Sequence, residues 1–460
     1  MRKFDFSIPE NPEIFEINRL PGHSDHLCIE DSSKAAACPG AKARDLLKME
    51  SDLKVSLNGS WKFFRAPDLN SVPLAFTEAD FDAEGWDEIR VPGHIELQGY
   101  GRPQYVNVQY PWDGSEEIVP GQIPKRNPVG CYIRDFELPR AAKEGRELII
   151  SFQGVESGMA LFVNGQFVGY AEDSFTPSEF NLTPYVHDGL NRLMVMVFRF
   201  TSGSWCEDQD FFRFSGIFRD VYLYTLPEVH LRDLEVRTIL DDHYENADLN
   251  LRLFTTSDGR VRISLFDETG ALLYAKEKAI VSEEKGENAF SVAVSHPRLW
   301  SAEKPVLYGL RLELFNKAGS LMETVFQSVG FRSFEIRDGI MLINGQRIVF
   351  KGVNRHEFSA QSGRCINEEI IRKDLITCKR NNINAIRTSH YPNRSEFYRL
   401  ADYYGLYIID ETNLETHGSW NGILFGGLPL ECAVPGDREN FREMIFDRGR
   451  SMFLRDRNHP

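Results

Sequence analysis

Long apolar runs are missing from this sequence. No stretch approaches the ~20 consecutive apolar residues that a membrane helix requires, so a helical membrane protein is excluded. The N-terminus, MRKFDFSIPENPEIFEINRLPG, starts on Arg2 and Lys3 but has no apolar run behind them. Asp5, Glu10 and Glu13 interrupt it, and a secretory leader is not expected. Excess positive charge is missing too: 53 Lys and Arg face 68 Asp and Glu, a net charge of −15. Nucleic acid and anionic membranes both need clustered cations, so neither is an expected partner. Cysteine is scarce and scattered, at 28, 38, 131, 206, 365, 378 and 432, an odd number without a Cys-x-x-Cys pair. That is neither a disulfide framework nor a zinc ribbon, and reduced thiols in a cytoplasmic protein are the expectation.

What is present is a hydrophobic content of 42% over 460 residues, enough for about three packed domains at roughly 150 residues each. Residues 1–50, with PGHSDH and ACPGAKA as breakers, read as an extended arm, loosely ordered or docked on a partner surface. Residues 51–226 change texture. GCYIRDFEL, ELIISFQGV, MALFVNGQFVGYAED and NRLMVMVFRF are short β-rich runs, and Asn164-Gly165 between alternating apolar residues is a hairpin signal. Many short strands without a helical period predict a β-sandwich of jelly-roll type. Residues 227–333 repeat strand-like runs at spacings suited to an immunoglobulin-like sandwich, with Gly in the turns DETG and NKAG.

From 334 to 460 strands alternate with helices. MLINGQRIVFKGVN predicts a hairpin leading into a strand, EEIIRKDLITCKRNN a helix, AIRTSHY a strand, SEFYRLADYYG a helix and LYIID a strand. Phe397, Leu400, Ala401 and Tyr404 fall on one helical face, and Phe441, Met444 and Ile445 repeat the spacing in a last helix over about 439–455. This alternation predicts a parallel sheet with crossover helices. Three strands leave an open parallel edge, so this segment is expected to be only marginally ordered.

Chemistry in parallel α/β folds sits at the C-terminal ends of the strands. Here those ends read Asn354-Arg355-His356-Glu357, then Arg387-Thr388-Ser389-His390-Tyr391-Pro392, then Asp410-Glu411 running to Glu415-Thr416-His417-Gly418. A single histidine at a strand end is more often a structural hydrogen-bonding group, and Asp410 or Glu411 could serve as a helix cap or salt-bridge partner. Three successive strands ending this way point to a shared polar pocket. Glu415 and His417 share one side of an extended segment and could hold zinc, manganese or magnesium, or form an ordinary ion pair. Glu411 and Glu415 would lie roughly 13 Å apart if extended, too far for a glycosidase carboxylate pair.

Asn384-Ala385-Ile386-Arg387-Thr388-Ser389-His390-Tyr391-Pro392, continuing to Asp402, Gly405 and Leu406-Tyr407-Ile408-Ile409, resembles the first signature of glycoside hydrolase family two. GVNRHE at 352–357 and DETNLETHG at 410–418 are similar to further segments of that family. Within it, YVNVQYP at 105–111 and EDQDFFRFSGIFRDV at 207–221 look like the first-domain loops of the long bacterial β-galactosidases. The resemblance implies that the α/β segment is the first part of a TIM barrel, and that Asn107 and Asp210 bind galactose hydroxyls. It implies sodium at Asp210, magnesium at Glu415 and His417, and transition-state stabilisation by His356 and His390. Asp456-Arg457-Asn458-His459-Pro460 looks like the start of the second signature, so the general acid/base and nucleophile glutamates are expected beyond Pro460. The chain alone is then expected to be inactive, its substrate a β-galactoside such as lactose, and the full-length assembly a homo-oligomer, a tetramer in the family. The alternatives are a non-enzymatic carbohydrate-binding or complementation fragment, or a related activity such as β-glucuronidase or β-mannosidase.

Overall fold

The computed structural model describes residues 4–138, 146–427, 429–430, 433–436 and 438–460. Cys432 lies outside them; the six described cysteines are unpaired, and four of these are buried. Among the described residues no helix is long and apolar enough to cross a membrane.

The first unit pairs two antiparallel sheets. One has seven strands, in the order Glu16–Ile17, Gln166–Ala171, Gly158–Val163, Gly189–Phe198, Val129–Leu138, Gly59–Ala66 and Asp87–Val91. The other has four, Ser178–Asn181, Glu147–Phe152, Val221–Leu226 and Lys54–Ser56. Trp61, Tyr132, Ile150, Phe152, Val195 and Val221 fill the space between them. The apolar run Leu193 to Phe198 has a simple cause. Successive side chains of a strand point to opposite faces, and both faces of this sheet are covered. Leu193, Val195 and Val197 enter the inter-sheet core, while Met194, Met196 and Phe198 enter a second core on the outer face. Asn164 and Gly165 take the positive φ values, 49° and 80°, that a two-residue hairpin demands.

The second unit packs a three-stranded sheet (Leu231–Leu240, Asn246–Thr255, Asn288–Ser295) on a five-stranded one. The core between them includes Leu234, Leu249, Leu251, Ile263, Leu312 and Val325. The fifth strand of the larger sheet, Leu27–Ile29, comes from the N-terminal arm and pairs antiparallel with Leu321–Val329. The arm therefore departs from expectation. Rather than lying loose, it docks on its own chain: Phe4 packs into the outer core of the first unit, and Glu16–Ile17 extends the seven-stranded sheet. Its few apolar residues suffice because each completes an existing core or edge.

The third segment has the expected parallel sheet, Gly352–Arg355, Ala385–Thr388 and Tyr407–Ile409 in that order. Asn367 caps the helix Glu368–Arg380 by accepting the Ile370 N–H at 3.0 Å. Gly405, at φ 76°, ends the helix Ser395–Tyr404, whose buried face includes Phe397, Leu400 and Ala401. The last helix, Arg442–Asp456, keeps its apolar contacts at the start, where Phe441 and Met444 are buried with Tyr110, Trp112 and Trp205 and Ile445 packs against them, but its later turns bury charge. Its buried residues are Met444, Asp447, Arg448, Ser451 and Arg455, while Phe446 and Phe453 are exposed.

These buried charges help explain why the α/β segment is not loosely attached, as its open edge had suggested. Its charges meet partners on both sandwiches. Arg448 pairs with Glu207 at 2.8 Å, Arg219 with Glu357 at 3.0 Å, and Arg457 with Asp233 at 2.5 Å. The Asn458 side chain accepts the Val236 N–H and donates to the Leu234 carbonyl, both at 2.8 Å, and His459 Nδ1 lies 2.6 Å from Asp402. Removing one member of a buried pair leaves the other charge uncompensated and costs about 3–5 kcal/mol. Arg219→Ala is therefore expected to lower the unfolding free energy by about that much, read as a fall in the urea midpoint with the m-value unchanged. Limited proteolysis of the parent chain should protect it through the last helix; a resistant core ending near residue 330 would contradict this docking.

Candidate active site

The strand ends meet a single stretch of the first unit, Glu207-Asp208-Gln209-Asp210-Phe211-Phe212-Arg213, which crosses all three. Glu207 and Asp208 pair in parallel with Glu415 and Thr416. Gln209 donates to the carbonyl of His390 at 3.2 Å and to Asn413 Oδ1 at 2.7 Å. Phe212 stacks on Phe358, just past the first strand end, at 5.6 Å between ring centres. Phe211–Arg213 also forms a two-stranded ribbon with Gln104–Val106, in which Phe211 opposes Val106. That register sets Asn107 opposite Asp210 at the ribbon's end. Asp210 accepts a short hydrogen bond from the Tyr105 hydroxyl. Asn107 is exposed.

His356 and His390 stand edge to face, ring centres 5.5 Å apart. His356 is exposed, yet desolvation by the atoms packed around its ring, with His390 and Arg364 nearby, pushes its imidazole down to about 4, against the opposing pull of Asp210. It is thus neutral at pH 7 and offers one donor and one acceptor nitrogen. His390 Nδ1 lies 3.1 Å from Glu411, which also receives Arg387 Nε at 2.7 Å. Below the histidines lies an aromatic floor of Phe175, Phe211, Phe218 and Tyr391. The Arg364 guanidinium lies over Phe211 at 4.5 Å and donates to Glu156 at 2.5 Å.

Every carboxylate on the rim already has partners. Glu357 takes Arg219 and the Arg394 N–H, at 3.0 and 2.9 Å. Asp410 takes the Tyr398 and Thr388 hydroxyls at 2.6 and 3.2 Å, and burial beside Asp456 pushes it up to about 7. Glu411 and Glu415 do not lie along one straight strand, because the Leu414 N–H donates back to the Thr412 carbonyl at 2.7 Å. Glu411 stays with Arg387, whereas Glu415 joins the Glu207 strand.

Glu415 and His417 come together although His417 begins a helix, His417–Phe425, that the sequence pattern did not announce. Glu415 Oε1 lies 3.2 Å from His417 Nδ1, a buried nitrogen with no hydrogen bond, and the imidazole stacks on Trp420 at 4.3 Å. A carboxylate oxygen facing an unsatisfied imidazole nitrogen fits a divalent cation, with further ligands required to complete its shell. No third metal-ligating side chain joins these two among the described residues. The supporting carboxylates escaped sequence reasoning. Asp208 receives the Gly418 N–H at 2.7 Å and Arg213 at 2.6 Å, while burial pushes it up to about 7. The dense acid spacing of EDQD was the only signal for Glu207 and Asp208.

Three family profiles match in succession: the sugar binding domain of glycosyl hydrolases family 2 over residues 54–227, a further family 2 domain over 229–332, and the family's TIM barrel domain over 334–460. A beta-galactosidase of Halalkalibacterium halodurans is 48% identical over 452 residues, covering 97% of this chain and 43% of its own length. The beta-galactosidase large subunit of Leuconostoc lactis is 39% identical over 467 residues, covering 98% of this chain and 72% of its own. Among solved structures, a β-glucuronidase of Bifidobacterium dentium superposes with a TM-score of 0.71 at 24% identity, over 90% of this chain and 67% of that one. The chain belongs to glycosyl hydrolases family 2. It spans about half the length of the full-length beta-galactosidases it resembles, and nearly three quarters of the large subunits.

Because the folded state disfavours His356 protonation, the unfolded chain binds the extra proton between about pH 4 and pH 6.5. The His356 contribution to stability is therefore full above pH 6.5 and declines as pH falls towards 4. Proton NMR of the imidazole C2–H, assigned with His356→Gln, should show no titration from pH 8 to 5. A midpoint near 6.5 would contradict this placement.

Proposed function

We propose that this chain provides the galactose-binding part of a retaining β-galactosidase, acting on terminal β-D-galactose in substrates such as lactose. The observation that carries the reading is the stretch Glu207 to Arg213, which holds Asp210, with Asn107 opposite it, over a rim bearing His356 and His390. Asp210 and Asn107 bind sugar hydroxyls, and the neutral His356 and Glu411-oriented His390 stabilise charge developing around the ring. The names of relatives at 48%, 46% and 45% identity support the choice of galactoside. The β-glucuronidase likeness concerns the fold. A uronate carboxylate would meet Asp210, and Arg387 on the rim is already engaged by Glu411.

In this reading the first sandwich is a jelly roll, the second immunoglobulin-like, and the parallel strands are the first three of an eight-stranded barrel. Retaining hydrolysis needs two carboxyl groups about 5–5.5 Å apart. The family resemblance implies that the acid/base and nucleophile lie in polypeptide beyond these residues, and the structural pairing of Glu357, Asp410 and Glu411 is consistent with that. Val353 and Ile409 on the parallel strands, and Phe446 and Phe453 on the last helix, are exposed apolar groups that such polypeptide would cover. The large-subunit names of relatives support a partner of that kind. Glu415 and His417 would hold magnesium, which when bound would supply positive charge to stabilise negative charge near the site; Asp210 would contribute to a sodium site. A cytoplasmic homo-oligomer, tetrameric as in the family, is the proposed assembly.

The purified chain alone is expected to show no turnover of a nitrophenyl β-galactoside, because proton transfer alone contributes about 10²–10⁴-fold and the covalent route is also lost. Co-expression with a family C-terminal segment starting at the next strand should restore activity. Asp210→Asn in the reconstituted enzyme should lower kcat/KM by about 10²-fold or more, the loss of a charge-assisted hydrogen bond in a dry site. Soluble, co-purified halves without activity would refute the reading.

A further inference from the structure

Far from the rim, Cys28, His230 and Glu323 place a thiol sulfur, an imidazole nitrogen and a carboxylate oxygen within 4.8 Å of one another, all on buried residues. The topology explains the meeting. Cys28, on the arm strand, opposes Val325, and Glu323 lies two residues from Val325 and so on the same face of the sheet. His230 immediately precedes the strand Leu231–Leu240. Its Nδ1 lies 2.9 Å from Glu323 Oε2, while the Leu231 N–H donates to Oε1 at 2.6 Å.

Glu323 is fully buried, and among the described residues its only ion-pair partner is His230. Burial of a carboxylate beside a thiol and an imidazole is costly unless a cation compensates it. A divalent ion bound by Cys28 thiolate, Glu323 carboxylate and neutral His230 would bring the set to zero net charge, releasing the thiol proton to water. Thiolate, imidazole and carboxylate are zinc-type donors, whereas magnesium and calcium select oxygen. Cys28 and His230 also line a cavity of about 90 Å³ between the arm and the two sandwiches, large enough for water. His26 faces the same cavity, but its ring nitrogens are taken by Ser24 and the Leu231 carbonyl, at 3.1 Å each.

We propose that Cys28, His230 and Glu323 form a zinc-type site for one divalent transition-metal ion, with water from the cavity in the fourth position. The ion would clip the N-terminal arm to the second sandwich.

Cobalt(II) titration of the metal-free chain tests this. One equivalent should produce a thiolate-to-cobalt charge-transfer band and the visible bands of tetrahedral cobalt. Zinc should bleach both and raise Tm by about 3 °C or more at saturation. Cys28→Ser should lose the charge-transfer band and the zinc-dependent Tm rise while melting like the metal-free parent. If that variant fails to fold, His230→Gln serves in its place and should weaken zinc binding at least tenfold. Absence of the band in the parent, or its persistence in a folded Cys28→Ser variant, would overturn the proposal.

Discussion

The Arg219 guanidinium is held by three partners that belong to different parts of the chain. It donates to the carbonyl of Phe175 at 2.7 Å, to the carbonyl of Pro392 at 2.8 Å and to the Glu357 carboxylate at 3.0 Å. Phe175 belongs to the first sandwich, Glu357 follows the first parallel strand, and Pro392 follows the second. Glu357 in turn takes the Arg394 N–H, so one buried pair fixes two strand ends against the sandwich. An arginine suits the place because its planar fork spreads charge over several acceptors at once. His356 and His390 lie one residue before Glu357 and two before Pro392. Their spacing is thus set by a contact that takes no part in any chemistry.

The other joints combine apolar clusters, such as Trp300 with Ala385 and Tyr407, with further buried charges. Arg448 reaches from the last helix to Glu207, which in turn lies in the strand that pairs with Glu415. Such interfaces gain little net stability over an apolar one, since the desolvation of both charges offsets their attraction. What they provide here is orientation: each pair admits only one seating of the α/β segment on the sandwiches.

Local signals in the sequence were reliable where the local chain alone decides the outcome. Asn164-Gly165 makes its hairpin because only such residues accept two positive φ values in succession. The helix Ser395–Tyr404 follows its apolar spacing because it packs on the parallel sheet beneath it. The last helix was legible only at its start, where Phe441, Met444 and Ile445 meet an aromatic cluster; that Arg448 and Arg455 would be buried further along it was not, because periodicity cannot say what lies opposite. The arm misled for a related reason: Leu27–Ile29 is too short to read as a strand until Leu321–Val329 offers its edge. At the rim, His356, His390, Glu415 and His417 were legible as strand-end residues. Glu207 and Asp208 were not, because their partners lie some two hundred residues away.

The arm also sets a timing problem for synthesis. Leu27–Ile29 emerges from the ribosome roughly 300 residues before its partner strand, an interval of about 15–60 s at ~5–20 residues per second. Glu16–Ile17 and Phe4 wait as well, for Gln166–Ala171 and the outer core around Phe198. The first segment made is therefore among the last to find its place. Phe4 waits for a core completed at Phe198, whereas Ile29 waits longer, until Phe326 is made, so the arm is fixed to the finished chain in two stages.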